Sequence, residues 1–180
     1  MNIFLFNNGT KYLDELRRLL GKYGQTSERE NADIIVLSGG HQLSVAKHPE
    51  SYTDEIELIK SASVPILGIC LGAEMIAYAF GATLTPLEKM EKGLIDIEIV
   101  KNDGLFSGIT NFKVYENHKW AITKLSDNLE GLARSESGFE IIKHKTKPIY
   151  GFQFHPEMCE DKGCGDEIFD NFFKKVSGPF

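Results

Sequence analysis

Three residues of this chain have the types and spacing for nucleophilic catalysis. Cys70 lies in the stretch ILGICLGAE (66–74), where Gly68, Cys70 and Gly72 read GxCxG after an apolar run and before a helical pattern. Glycines on both sides of a nucleophile at a strand-to-helix junction permit a tight turn that lifts the central side chain above a sheet, as in a serine nucleophile elbow. A thiol at a helix N-terminus also feels the positive end of the helix dipole, which is expected to lower its pKa. Most free cysteines are small buried hydrophobes; the paired glycines set Cys70 apart. A cysteine nucleophile needs a base, itself oriented by a third group. FHPE (154–157) offers both, because His155 and Glu157 are two positions apart and point the same way on an extended chain. Pro156 favours that extended geometry at His155. The expected triad is Cys70, His155 and Glu157. An oxyanion hole would take one donor from the Leu71 backbone N–H and another from the glycines of LSGG (37–40), either Gly39 or Gly40, with Gly40 preferred.

Such residues need a rigid platform, and the chain supplies its parts. The short runs IFLF (3–6), IIVL (34–37) and PILGIC (65–70) are continuously apolar, as strands buried on both faces of a parallel sheet are. Between the first two, KYLDELRRLL places Tyr12, Leu13, Leu16, Leu19 and Leu20 at helical spacing and ends at Gly21. After the third, Met75, Ile76, Ala79 and Phe80 repeat the pattern up to Gly81. From about residue 94 the style changes: LIDIEIV, FKVYENH and FEIIKH read as antiparallel strands at one side of the sheet, HKTKP (144–148) as a solvated hairpin turn, KPIYGFQFHPE as a buried strand, and DEIFDNFFKKV as a closing amphipathic helix. The expected fold is α/β, a single domain over residues 1–180, with a mostly parallel central sheet flanked by helices and additional antiparallel strands in the second half.

Composition narrows the function classes. The 180 residues carry a net charge of −6, so the basic footprint of a nucleic-acid binder is lacking. No apolar run approaches the roughly 20 residues of a membrane span and the N-terminal stretch lacks signal-peptide features, so a cytoplasmic protein without a membrane partner is expected. Three cysteines (Cys70, Cys159, Cys164) favour free thiols over a disulfide framework. His155, Cys159 and Cys164 lack a second ligand pair and include the triad base, so no metal site is expected.

In order, the strand followed by SGG, then PILGICLG, ENH and GFQFHPE, the motifs resemble those of class I (triad-type) glutamine amidotransferases over about residues 34 to 157. The resemblance implies that Cys70 attacks the side-chain amide of glutamine, that Leu71 and Gly40 hold the oxyanion, and that His155, oriented by Glu157, protonates departing ammonia before water releases glutamate. LFSGI, VYENH, LARSE, IKH and PIYGFQFHPE are further similar to glutaminase subunits of two-chain GMP synthases. That similarity implies an ATP-dependent synthetase partner that aminates XMP, with ATP and Mg bound there and no cofactor in this chain. Glu74, Asn117, His118, Lys119 and Trp120 are the implied substrate-binding residues. The chain departs from the family in three places: Ala73 and Glu74 replace a His-Gln or Met-Gln pair, His41 replaces a proline, and Lys119 stands where small residues are common. An ionised Glu74 accepts hydrogen bonds only, so it suits an ammonium and repels a carboxylate, unless Lys119 offsets it. Two alternatives follow: a stand-alone hydrolase of another γ-glutamyl compound, and a glutamine-binding regulator without catalysis.

Overall fold

The apolar runs become the strands of one sheet. In the computed structural model, which describes residues 1–40, 43–110, 112–159 and 165–178, the order is β1 (Asn2–Phe6), α1 (Leu13–Leu20), β2 (Gln25–Thr26), β3 (Ile34–Leu37), α2 (Thr53–Ser61), β4 (Ile66–Ile69), α3 (Leu71–Ala79), β5 (Thr83–Ile99), β6 (Phe112–Lys124), β7 (Leu129–Arg134), β8 (Phe139–His144), β9 (Ile149–Phe152) and α4 (Gly165–Ser177). His41 and Cys164 lie outside the described residues. No described helix is long and apolar enough to cross a membrane.

The sheet runs β2-β1-β3-β4-β9-β8-β6-β5-β7, and β7 also pairs with β8. Strands β2, β1, β3, β4 and β9 are parallel, whereas β8 runs against β9 and the ladders among β5, β6, β7 and β8 are all antiparallel. The expectation of a mostly parallel sheet is therefore corrected: the sheet is mixed, with four parallel and five antiparallel pairings among the described residues. The reason lies in the connections. Parallel neighbours need long crossovers, which the helices provide in the first half, while the four-residue links from β6 to β7, β7 to β8 and β8 to β9 are too short for one.

Alternation along each parallel strand divides the core into two layers. Ile34 and Val36 of β3, Leu67 and Ile69 of β4, and Tyr150 and Phe152 of β9 face the layer that contains Leu16, Leu19 and Leu20 of α1 and Ile168, Phe169, Phe172 and Phe173 of α4. Ile35, Leu37, Ile66 and Ile149 face the other, with Leu58 and Ile59 of α2 and Met75, Ile76 and Ala77 of α3. The closing helix is anchored by aromatic contacts: Phe172 meets Tyr150, Phe152 and Phe173 edge to face at centroid separations of 5.5, 6.0 and 5.4 Å.

Two elements differ from their sequence reading. Helix α2 had no expected counterpart, since its apolar positions are few and the buried Glu55 interrupts them. Strand β5 begins at Thr83, well before residue 94, because its polar first half pairs with β6 across register shifts between Pro86 and Glu91. The hairpin at 144–148 forms as expected, the His144 ring nitrogen accepting the N–H groups of Thr146 and Lys147 at 3.2 and 3.0 Å.

Because Phe172 is fully enclosed, Phe172→Ala should cost about 3–5 kcal/mol by leaving a cavity between α4 and the sheet. Urea unfolding followed by circular dichroism checks this; a loss below about 1 kcal/mol would show that α4 does not hold the sheet.

Candidate active site

Three neighbouring parallel strands, β3, β4 and β9, end at the same side of the sheet, the position where open α/β sheets bind ligands. The segment after β3 carries Ser38, Gly39 and Gly40, β4 leads into Cys70, and β9 leads into His155 and Glu157. Cys70 caps α3 at φ 49° and ψ −106°, and is the one non-glycine residue with positive φ among the described residues. Its backbone is pinned there, because its N–H donates to the Phe152 carbonyl at 2.8 Å and its carbonyl accepts from Glu74 N–H at 3.0 Å. Both neighbouring glycines are required by contact. A Cβ on Gly68 would penetrate the Gly72 carbonyl, and one on Gly72 would penetrate the Leu37 carbonyl oxygen.

His155 and Glu157 are buried and joined through Nδ1 and Oε1 at 2.8 Å. A carboxylate accepts, so Nδ1 carries the proton and Nε2 is left as the basic nitrogen. A side chain on Gly39 would stand 3.0 Å from His155 Cε1 and 3.5 Å from Cys70 Cβ, so the imidazole and the thiol-bearing side chain close on the same point. Cys70, Leu71, Gly40 and His155 line a pocket of about 260 Å³, together with Glu74, Asn117, His118, Lys119 and Trp120. All the pocket residues expected from the sequence are thus brought together, apart from Glu157, which lies behind His155.

The electrostatics differ from expectation. Burial first, then the carboxylates of Glu74, Glu116 and Glu157, push the Cys70 thiol well above its ordinary range, and the Leu71 N–H only partly counters them. The acidified thiol expected from the helix dipole is corrected: a dipole equivalent to about half a charge does not overcome burial beside three acids. Glu74 is buried and its carboxyl is raised to about 7 by desolvation, against the opposing effects of His118 and of the Gln153 amide, which donates to Glu74 Oε1 at 3.3 Å. Lys119 is exposed and lines the same pocket as Glu74, but it is not among the groups that act on the Glu74 carboxyl.

Three contributors were missed. Tyr12, read as part of a helical apolar face, stands at the N-cap of α1. Its hydroxyl accepts from the Asn117 amide at 3.0 Å, and its ring meets that of His155 edge to face at 5.0 Å. Gln153 lies inside a quoted motif, yet its pairing with Glu74 joins residues 79 positions apart, beyond any local spacing rule. Cys159, expected only as a free thiol, is buried; burial raises it to about 12, and its Sγ donates to the His155 carbonyl at 3.3 Å, bracing the histidine backbone.

Comparison with known proteins agrees with this geometry. The profile of the family "Glutamine amidotransferase class-I" matches residues 13–176. The chain is 35% identical over 187 aligned positions to the glutamine-hydrolyzing GMP synthase subunit of Methanocaldococcus jannaschii, covering 96% of each protein. To the protein of the same name from Methanosphaera stadtmanae it is 37% identical over 189 positions, covering 97% of each. A crystal structure described as a GMP synthase subunit of Thermoplasma acidophilum aligns with a TM-score of 0.85 at 29% identity, over 98% of this chain and 94% of that one. A glutamine amidotransferase from Thermotoga maritima shares the fold, with a TM-score of 0.71 at 19% identity over 98% and 82% of the two chains. With a family profile spanning nearly all of its length, the chain belongs to the class-I glutamine amidotransferases.

Proposed function

We propose that residues 1–180 act as one glutaminase domain that releases ammonia from glutamine for a separate GMP synthetase subunit. The observation that carries the reading is the convergence of Cys70 and the Glu157-oriented His155 on one pocket at the ends of β4 and β9. The partner assignment is supported by the relatives named as glutamine-hydrolyzing subunits of GMP synthase, which match over nearly their whole length.

The resting thiol is protonated, so the nucleophile forms as glutamine binds and the thiol proton moves to His155 Nε2. The sulfur attacks the side-chain amide carbon, and the Leu71 and Gly40 N–H groups stabilise the oxyanion. The C–N bond then breaks as His155 returns the proton to the leaving nitrogen, giving ammonia and a thioester. Water, deprotonated by the same imidazole, attacks the thioester and releases glutamate and the thiol. Glu157 keeps the Nδ1 proton in place throughout and stabilises the imidazolium. In this reading ATP and Mg act on the partner, and this chain contributes no cofactor to the glutaminase steps. The reading also puts the protein in the cytoplasm, where reducing conditions keep Cys70 and Cys159 as the free thiols they are in the structure.

Cys70→Ala should lower glutamate release at least about 10³-fold, measured with and without the GMP synthetase subunit, XMP, ATP and Mg. With the partner present, GMP should form from glutamine with the parent protein, and only from added ammonium with the variant. Cys70-dependent release from another γ-glutamyl compound, with none from glutamine under any condition, would favour the second reading, a stand-alone hydrolase. Glu74 is the specific observation on that side.

Glu74 makes its own pH predictions. Below about pH 7 its carboxyl is protonated and keeps a donor, as the family's amide does; above that it becomes an anion facing the pocket. The KM for glutamine should therefore rise from pH 6 to pH 8, and Glu74→Gln should flatten the rise. A KM that falls over this range would mean that the anion holds the substrate ammonium. For stability, the folded value of about 7 exceeds the ordinary 4.5, so this group favours folding fully below pH 4.5 and loses that contribution as pH rises through 7. Glu74→Gln should thus gain about 1–3 kcal/mol over the parent at pH 8 and almost nothing at pH 4.5, by denaturant titration at both values.

A further inference from the structure

Behind the pocket wall, three antiparallel strands bring together acidic and imidazole groups that the glutaminase steps do not use. Glu91 of β5 and His118 of β6 are register partners, and Glu140 of β8 follows the point where β8 touches β6, at Phe139 and Ile122. One ligand atom from each of Glu91, His118 and Glu140 lies within 4.8 Å of the other two. We propose that Glu91, His118 and Glu140 bind one divalent metal ion of the zinc type, which ties β5, β6 and β8 together behind the pocket.

The histidine carries the argument. His118 Nδ1 lies 2.8 Å from the Trp120 carbonyl oxygen, which can only accept, so Nδ1 holds a proton and Nε2 is the nitrogen turned toward the carboxylates. Metal-bound histidines are oriented in this way, with the distal N–H fixed by a backbone carbonyl. The His118 side chain is 1% exposed. Its Nε2 lies 3.2 Å from Glu116 Oε2 and 3.5 Å from Glu91 Oε2, yet Nε2 and Glu91 Oε2 have no hydrogen-bond partner among the described residues. The Nε2–Glu91 separation suits two ligands of a shared ion: with bonds of about 2.1 Å, tetrahedral ligand atoms stand about 3.4 Å apart.

Glu140 is prepared in a similar way. Its Oε1 accepts from the Ser135 hydroxyl at 2.6 Å, and its carboxyl is buried against that of Glu116, with which it shares a hydrogen bond that an ion would replace. Glu116, wholly buried beside His118, neighbours the three ligands without being one of them. A donor set of imidazole and carboxylate without thiolate suits Zn²⁺ or Mn²⁺ and not Cu⁺. These residues are distinct from the His155, Cys159 and Cys164 combination, which lacks a metal site's spacing, and they share no short motif: 91, 118 and 140 come from three strands. The ion would be structural, fixing the ring of His118 and the backbone of Trp120 where they wall the pocket; no step of the glutaminase reaction passes through it.

The test uses the full chain, stripped of metal with a chelator and titrated with ZnCl₂ by calorimetry. A Cys70→Ser background removes capture of zinc by the active-site thiol. The expected result is one Zn²⁺ per chain, a higher Tm with zinc, and an X-ray absorption spectrum with nitrogen and oxygen ligands, one imidazole and no sulfur. Glu140→Gln should weaken binding at least about tenfold. Since Glu140 is buried and its variant can fail to fold, Glu91→Gln, at a partly exposed residue, provides the second arm with the same expected loss. Absence of saturable binding at one Zn²⁺ per chain, sulfur among the ligands, or unchanged affinity in a folded Glu91→Gln variant would each overturn the proposal.

Discussion

The close approach of three backbones at the elbow is the constraint on which the rest of the site depends. The start of α3 lies against the end of β3 so tightly that residue 72 has no space for a side chain, and residue 68 has none because α3 turns back over it. The chain between them must reverse within one residue, and Cys70 takes up the reversal at φ 49°. A non-glycine residue held there costs on the order of 1–3 kcal/mol, which persists only where the surroundings determine the geometry. The surroundings do: the β3 and β4 strands and the first seven residues of α3 are buried throughout. Strain at the nucleophile is thus sustained by the two core layers, and a change in their packing reaches Cys70 through Leu37.

The second organising influence is the concentration of acids around a neutral thiol. Glu74, Glu116 and Glu157 all act on Cys70 in the same direction as burial. Their number explains why the helix dipole, favourable by itself, does not set the charge of the sulfur. A protonated resting cysteine is protected from oxidation and from stray electrophiles, because the thiolate is the reactive form. In the proposed reaction the pocket would separate two requirements: the turn fixes where the sulfur is, and substrate binding would decide when it becomes a nucleophile.

The strand-helix alternation of the first half was legible because each run repeats a pattern with a physical cause: continuous apolar residues for two-faced burial, and helical spacing for one face. The triad was legible because its parts are local, Cys70 by its flanking glycines and His155 with Glu157 by their nearness, although Glu157 stands on a 3-10 turn over Pro156–Met158 and not on the extended chain expected. What escaped depends on distant partners. Tyr12 acts on Asn117 and His155 only because the segments after β1 and β9 meet the middle of β6, and Gln153 meets Glu74 across a strand-helix boundary. The state of the Cys70 thiol also escaped, since desolvation by residues far along the chain has no local signature. Helix α2 and the first half of β5 were hidden by their polar composition, which tertiary pairing overrides.

Strand β5 has a wider consequence. It is 17 residues long, yet it pairs with β6 on one side and on the other meets β7 only at Glu98 and Ile99. Much of its outer edge therefore presents backbone donors and acceptors that another chain could extend. That edge carries Pro86, which has no N–H to offer, the exposed charges of Glu88, Lys89 and Lys92, and a break in register that twists the ribbon. These are the devices by which natural sheets resist edge-to-edge association. The polar composition that concealed the strand in the sequence is also what keeps it from seeding aggregates, so a substitution that made β5 easier to recognise as a strand would make the protein harder to keep in solution.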